Sequence, residues 1–456
     1  MLEFDVEKKP PRILYIGSGQ SNPGLFYLQG LSDAGYNIYH VGENSRFFNT
    51  VNLPKKPYMV STQTGNNHVM IREFSLKSLL DIVGYDFDAI IHVQDWLYFN
   101  DLEKSPIPYY FYCTEIGYPR VPKCAWYVLC ATEQILKICK ANVNWAKSFI
   151  YHPHSVPIIR GRKLKYPSLK KTIQGSFAGE LYSLQLYKQR REIIKYLEKN
   201  VDGFETHYLG PHKGQGVERD IESGKGILKP IKYINLLLKS KCGVNVPTVG
   251  GSNFRDIEVL TNGAMLVTME TPDLLKMGLE DGINCRTFKT KEEAAKIIQG
   301  EYNEDIAEKG WELVYYGRKW WQHHNLDVAR LFRYKGYHQY KDSSKNYMEF
   351  KLIGDNLLKI PEHLEKLQSG NIVESFTIKD ELIKIKPKTA DKIELILQDL
   401  GMIEWSIDGH TIYHRVKELA VYMNRNDGIL IPDNILEIVD TIKNKKQLRG
   451  VGIGNH

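Results

Sequence analysis

The chain has 456 residues, enough for two or three domains that each bury a core. Its hydrophobic fraction of 42%, charged fraction of 25% and formal net charge of +7 are those of a soluble globular protein. No apolar run approaches the ~20 residues of a membrane helix, and the opening MLEFDVEKKPPR lacks the apolar core of a signal peptide, so a cytoplasmic location without a membrane span is expected.

The six cysteines, Cys113, Cys124, Cys130, Cys139, Cys242 and Cys285, form no C-x-x-C pair and predict reduced, buried thiols rather than a metal site. Lys and Arg balance Asp and Glu at 14 against 14 in residues 1–150 and 17 against 18 in 341–456, but stand at 30 against 22 in 151–340. A phosphate-bearing ligand in the middle of the chain would account for that excess, and so would a solvated basic face.

In chain order, Arg12 to Ile16 reads as a strand ending in Gly17-Ser18-Gly19, followed by a helix over Gly24 to Ala34 and a strand over Asn37 to Val41. The turn suggests a dinucleotide fingerprint, but its third glycine position is Asn22. The segment Asp86 to Asp88 (DFD) precedes the strand Asp88 to Val93 and reads as a solvated strand entrance. Asp95, with Gln94 and Trp96, follows the end of that strand, and Glu115 follows Pro108 to Cys113; carboxyl ends of strands are where open α/β sheets place ligands. Each carboxylate is equally readable as a turn residue. Trp126 to Ala131 and Ser148 to His152 continue the series, and the proline-rich, basic run from Pro153 to Thr172 reads as a linker.

A second alternation follows: strand Gly175 to Ala178, helix Gln185 to Glu198, strand Glu205 to Leu209 and helix Ile231 to Lys239. The stretch Lys241 to Thr268 predicts a strand, a glycine turn, a helix capped by Ser252 and closed by Asn262-Gly263, and another strand. A helix start after such a turn offers N–H groups to a phosphate. Arg255 and Glu258, three positions apart, share a face as either an anion ligand and a diol acceptor or an intrahelical ion pair. A helix from Pro272, a strand near Cys285 to Phe288 and the helix Lys291 to Ile298 complete the pattern. Asp305 to Tyr334 reads as an aromatic helix bracing the first domain. The adjacent His323-His324 does not read as a metal pair. Asn346 to Lys386 alternates in short runs. Helices are expected over Ala390 to Leu400, His414 to Met423 and Pro432 to Ile442. The domains expected are therefore 1–155, 172–335 and a small, mostly helical domain over 345–456 whose near-neutral charge argues against a simple DNA-binding arm.

The order Val244-Asn245-Val246-Pro247, Asn253-Phe254-Arg255-x-x-Glu258, Leu260-x-Asn262-Gly263-Ala264, Thr271-Pro272-Asp273-Leu274 and Asp281-Gly282 resembles GT-B glycosyltransferases of the group 1 type, including spore-maturation-protein-like members. Weaker likeness extends over residues 10–335. The resemblance implies two Rossmann-like domains facing a cleft. It implies that Glu258 bonds a nucleotide ribose, and that Arg255 with the N–H groups of Gly251, Ser252 and Asn253 meets a diphosphate. Asn245, Lys188 and Arg190 would lie beside them, and no metal or cofactor would be needed beyond the nucleotide-sugar, a UDP-sugar.

The acceptor would lie against Gly17, Ser18, Gly19 and Gln20. Retaining members carry a glutamate eight residues before the position of Glu258, where this chain has Gly250. An inverting reaction needs a base in the first domain, Asp95 ahead of Glu115. The acceptor is left open between a glycan and a hydroxylated base of phage DNA. Two other functions compete: an NAD(P)-dependent oxidoreductase using Gly17 to Gly19, and a non-catalytic nucleotide-binding module.

Overall fold

The strands Ala89–Val93 and Tyr109–Cys113 are buried at every position, as strands covered on both faces must be. The computed structural model describes residues 9–17, 22–41, 50–51, 59–64, 67–93, 97–114, 121–157, 164–181, 185–209, 228, 230–248, 251–300, 302–323, 332–338, 346–352, 360–379 and 382–444. Two compact units result, one of Met1–Tyr316 with Gly409–His456 and the other of Gly317–Asp408.

The first sheet uses β1 (Arg12–Ile16), β2 (Asn37–Val41), β3 (Thr50–Val51), β6 (Ala89–Val93), β8 (Tyr109–Cys113), β9 (Tyr127–Cys130) and β10 (Ser148–Tyr151), while β4 (Met59–Thr64), β5 (Asn67–Phe74) and β7 (Leu97–Phe99) form a small separate sheet. The order is β10-β9-β8-β6-β1-β2-β3, all parallel. Helices α1 (Asn22–Ala34), α2 (Leu76–Val83) and α3 (Glu133–Asn142) connect it. The DFD segment is a strand entrance, with Arg12 N–H donating to Asp88 Oδ2 at 2.7 Å and the Arg12 guanidinium paired with Asp86. All six cysteines are buried, and none is in a disulfide.

The second sheet is built from β11 (Ile173–Glu180), β12 (Phe204–Leu209), β13 (Ser240–Asn245), β14 (Met265–Met269) and β15 (Arg286–Phe288), with α4 (Lys188–Asn200), α5 (Pro230–Lys239), α6 (Phe254–Thr261), α7 (Asp273–Lys276), α8 (Lys291–Gln299) and α9 (Glu304–Tyr316). Its order, β12-β11-β13-β14-β15, is again wholly parallel and reverses direction between β11 and β13. The two parallel α/β sheets expected from the sequence are therefore present.

Three boundaries differ from the sequence reading. The aromatic helix expected to reach Tyr334 ends at Tyr316, because Gly317 takes a φ of +72° and a Cβ there would lie 1.9 Å from the Ile407 carbonyl oxygen. The next residues form β16 (Arg318–His323), antiparallel to β21 (Met402–Ile407). His323 is therefore on a strand, and His324 lies outside the described residues.

The second domain accordingly closes at Tyr316, not 335, and the separate unit is Gly317–Asp408, not 345–456. That unit carries a four-stranded antiparallel sheet of β17 (Phe332–His338), β18 (Tyr347–Leu352), β19 (Val373–Lys379) and β20 (Leu382–Pro387), with α10 (Ile360–Ser369) and α11 (Lys392–Asp399). The last two helices, α12 (Ile412–Asp427) and α13 (Asp433–Lys443), belong to the first unit. A Cβ on Gly30 of α1 would sit 2.8 Å from Ile412 and 2.9 Å from Val416, and the Tyr413 hydroxyl donates to Asp33 at 2.8 Å. It is therefore α12 and α13, and not the aromatic helix, that pack against α1.

The crossover after β10 is fastened to α12 by a buried polar cluster. Fully buried Arg415 donates to the Pro153 carbonyl at 3.0 Å, to Glu418 at 2.5 Å and to His410 at 2.6 Å. His410 in turn bonds the Met277 carbonyl at 2.7 Å, Tyr27 bonds His152, and the His154 ring packs 4.0 Å from Phe254. Burial, with the Arg415 charge beside them, pulls His152 and His410 well below the ordinary histidine range and His154 down to about 3.

These histidines are neutral in the folded chain, while in the unfolded chain they take up protons below about pH 6.5. Stability is therefore complete above that pH and falls as pH drops, by up to about 1.4 kcal/mol per pH unit for each histidine. Urea midpoints at pH 7.5, 6.0 and 5.0 should decline more steeply for the natural chain than for His154→Phe; parallel declines would refute the assignment. Gly30→Val should cost about 1–3 kcal/mol by overpacking α1 against α12, read as a lower urea midpoint, and an unchanged midpoint would remove these helices from the first unit.

Candidate functional site

The helix α6 starts where the glycine turn ends, but its cap is Asn253 and not Ser252. Asn253 has extended backbone, its side chain accepts the Arg255 N–H at 2.9 Å, and Asp256 returns the favour by accepting the Asn253 N–H at 3.1 Å. Asp256 is fully buried, and its other oxygen accepts from Asn245 Nδ2 at 2.7 Å and Thr268 Oγ1 at 2.8 Å. Burial pushes its pKa up against these hydrogen bonds. The carboxylate thus ties the ends of β13 and β14 to the first turn of α6.

Arg255 and Glu258 project from this fixed turn. The Arg255 guanidinium lies over the Phe177 ring at 4.6 Å, and its Nη1 reaches Asn245 Oδ1 at 3.4 Å. Its buried Nε has no partner among the described residues. Gly179 on β11 makes room, since a Cβ there would stand 2.1 Å from Arg255 Nη2. Glu258 is half-buried and accepts from the Tyr233 hydroxyl of α5 at 2.9 Å; burial raises its pKa, opposed by Tyr233 and by the Arg255 charge.

The two do not form an ion pair with each other: Arg255 reaches Asn245 at the end of β13, and Tyr233 of α5 donates to Glu258 while also lying beside the Arg255 guanidinium. A positive group and a hydrogen-bonded carboxylate thus sit beside the reversal point between β11 and β13. That is the position where open α/β sheets take ligands.

Of the other sequence candidates, Arg190 is buried. It donates to the Val246 carbonyl at 2.6 Å and the Glu180 carbonyl at 3.3 Å, bridging the same two strand ends. Burial, then the Arg255 charge, lowers its pKa to about 9. Lys188 is exposed at the start of α4.

Gly251 and Ser252 face inward. A Cβ on Gly251 would meet Thr132 at 2.7 Å, and the Ser252 N–H donates to Asp273 Oδ2 at 3.0 Å. With Asn253 N–H held by Asp256, the Ser252 and Asn253 N–H groups expected to meet a diphosphate are occupied by carboxylates of the chain itself. The Gly17 N–H is likewise spent on the Val41 carbonyl at 3.1 Å. Ser18, Gly19, Gln20, Asp95 and Glu115 lie outside the described residues.

Sequence reading missed Phe177, Gly179, Tyr233 and Asp256 as parts of this region, and it named Asp273 within a motif without its role. Asp256 had a local signal, the N-x-x-D spacing of a capping box from Asn253. The others meet α6 only through tertiary packing. Among the described residues no group of three or more His, Cys, Asp or Glu is placed to hold a metal.

No family model matches the chain, and no curated protein matches it. Solved structures that resemble it include Anabaena HepE in complex with UDP and glucose, at 12% identity, 66% of this chain, 94% of that one and a TM-score of 0.41. OtsA gives 11%, 66%, 95% and 0.44, and sucrose-phosphate synthase from Thermosynechococcus elongatus gives 8%, 66%, 93% and 0.40. Likeness at this level adds nothing to what the two sheets themselves show.

Asp256→Asn should destabilise the chain by about 1–3 kcal/mol, because an amide in place of the carboxylate turns one acceptor into a donor against an existing donor. A denaturant midpoint equal to that of the natural chain would mean that the network around α6 is not structural.

Proposed function

We propose that the chain is a glycosyltransferase moving a sugar from a nucleoside-diphosphate donor, a UDP-sugar, to a hydroxyl acceptor. The observation that carries this reading is the pairing of Arg255, its Nε without a partner among the described residues, with Glu258, oriented by Tyr233, at the sheet's reversal point. Arg255 would meet the diphosphate, with Arg190 adding positive charge behind it, and Glu258 would accept hydrogen bonds from the ribose diol. A cationic site of this kind offsets charge on the departing nucleotide and leaves no electrostatic need for a metal.

With Gly250 in place of a second glutamate, an inverting reaction is the simpler chemistry. Asp95, or failing it Glu115, would take the acceptor proton from its place after a strand of the first sheet, with Gly17 to Gln20 beside the acceptor. The acceptor is a glycan or a hydroxylated base in DNA, and the reaction is cytoplasmic.

A nucleotide panel read by thermal stabilisation tests this. UDP and at least one UDP-sugar should raise the melting temperature, NAD and NADP should not, and Arg255→Ala should weaken UDP binding about 10- to 100-fold. Silence of every nucleotide with the natural chain would end the proposal. Because the Glu258 pKa is raised, its carboxylate is lost to protonation at a higher pH than an ordinary glutamate. UDP affinity should therefore fall on acidification with a midpoint above that of a free glutamate, and Glu258→Gln should abolish that step in a calorimetric pH series.

A further inference from the structure

Asp273 is the first residue of α7, yet its carboxylate serves two other helix starts. Oδ1 accepts the Glu133 N–H at the first position of α3 at 2.7 Å, and Oδ2 accepts the Ser252 N–H just before α6 at 3.0 Å. Helices α3 and α6 have 10 and 8 residues, so each presents the positive end of its dipole to this carboxylate. Such ends are where proteins ordinarily take up a phosphate.

The surroundings offer more than a carboxylate uses. A Cβ on Gly251 would stand 2.8 Å from Asp273 Oδ2 and 2.7 Å from Thr132 Cβ, so a glycine is what lets an anion come this close to the turn. Ser252 is 3% exposed, and its Oγ has no hydrogen-bond partner among the described residues. Both oxygens of Asp273 already hold a backbone N–H, and the serine hydroxyl is left over. A diphosphate has more acceptor oxygens and more charge than a carboxylate, enough for the Ser252 N–H and hydroxyl together. Asp273 is also withdrawn from water, and burial pushes its pKa up against its bonds to the Glu133 and Ser252 N–H groups. Returning it to water recovers solvation, which offsets part of the cost of giving up those bonds.

We propose that Asp273 is an internal stand-in for the donor's diphosphate: in the free chain it occupies the Ser252 N–H, and an incoming diphosphate displaces it. The inference rests on the donor site proposed around Arg255, three residues beyond Ser252, and adds a regulation of that site. Because the same carboxylate holds Glu133, its displacement also frees the start of α3. Donor binding and the fastening between α3 and α6 therefore oppose each other, each weakening the other by the same factor. A purely structural role predicts the reverse, since removing Asp273 would then loosen the turn and weaken the donor.

The test is calorimetric UDP binding to the full natural chain, Asp273→Ala and Asp273→Asn. Asp273→Ala should bind UDP about tenfold more tightly than the natural chain. Asp273→Asn loses the charge but keeps one acceptor oxygen, so its affinity should lie between the two, about threefold below that of the alanine variant. Equal tightening in both variants would mean charge repulsion without occupancy and would overturn the proposal. In the natural chain, saturating UDP should speed hydrogen exchange at the Glu133 amide, and slower or unchanged exchange there counts against displacement. That measurement decides the matter alone if Asp273→Ala does not fold. UDP binding by the natural chain with equal or weaker binding by Asp273→Ala sinks this inference and leaves the donor site standing, whereas no UDP binding by any of the three removes both.

Discussion

One buried carboxylate, Asp273, joins the two halves of the first unit. Its Oδ1 accepts the Glu133 N–H at the start of α3 at 2.7 Å, and its Oδ2 accepts the Ser252 N–H in the turn before α6 at 3.0 Å. Two helix-start regions, one from each sheet, are thereby satisfied by a single side chain that is itself withdrawn from water. Lys276 adds a bond to Glu133 at 2.6 Å, and Gly251 lets the turn close on Thr132, where a Cβ would collide. The carboxyl edges of β9 and β13 are held against each other by this contact, and the position of α6 follows from it.

The candidate site inherits its rigidity from the same arrangement. With the Ser252 and Asn253 N–H groups just before α6 bonded to Asp273 and Asp256, these two donors are not open to an anion. Arg255 is held by the Phe177 ring and Asn245, Glu258 by Tyr233, and Arg190 is locked behind them by two carbonyls. Preorganised side chains lose little rotamer freedom on binding a ligand, which is the physical advantage of anchoring them in this way.

The return of α12 to α1 makes the first unit continuous through two distant parts of the chain. Buried Arg415 reaches the crossover at Pro153, while Asp427 accepts from Tyr127 at 3.1 Å and from Tyr110 on the neighbouring strand. The intervening residues 317–408 fold as their own unit, so the unit reads as an insertion rather than an appendage. Local patterning did place helices near His414 to Met423 and Pro432 to Ile442. Nothing in their amphipathic period states which apolar face they will cover.

The elements and their alternation are legible in the chain: apolar runs of strand length, separated by helical periods, leave two parallel sheets as the way to bury both strand faces. The sequence also singled out Arg255 and Glu258, because three-residue spacing on a helix is a local property. Tertiary contacts are what turn Ser252 toward Asp273, break the long aromatic helix at Gly317 and return the last helices to the first unit. Each of these depends on which distant group satisfies a backbone N–H or fills the space beside a glycine, and a linear pattern carries no information about groups that lie 140 or 380 residues away.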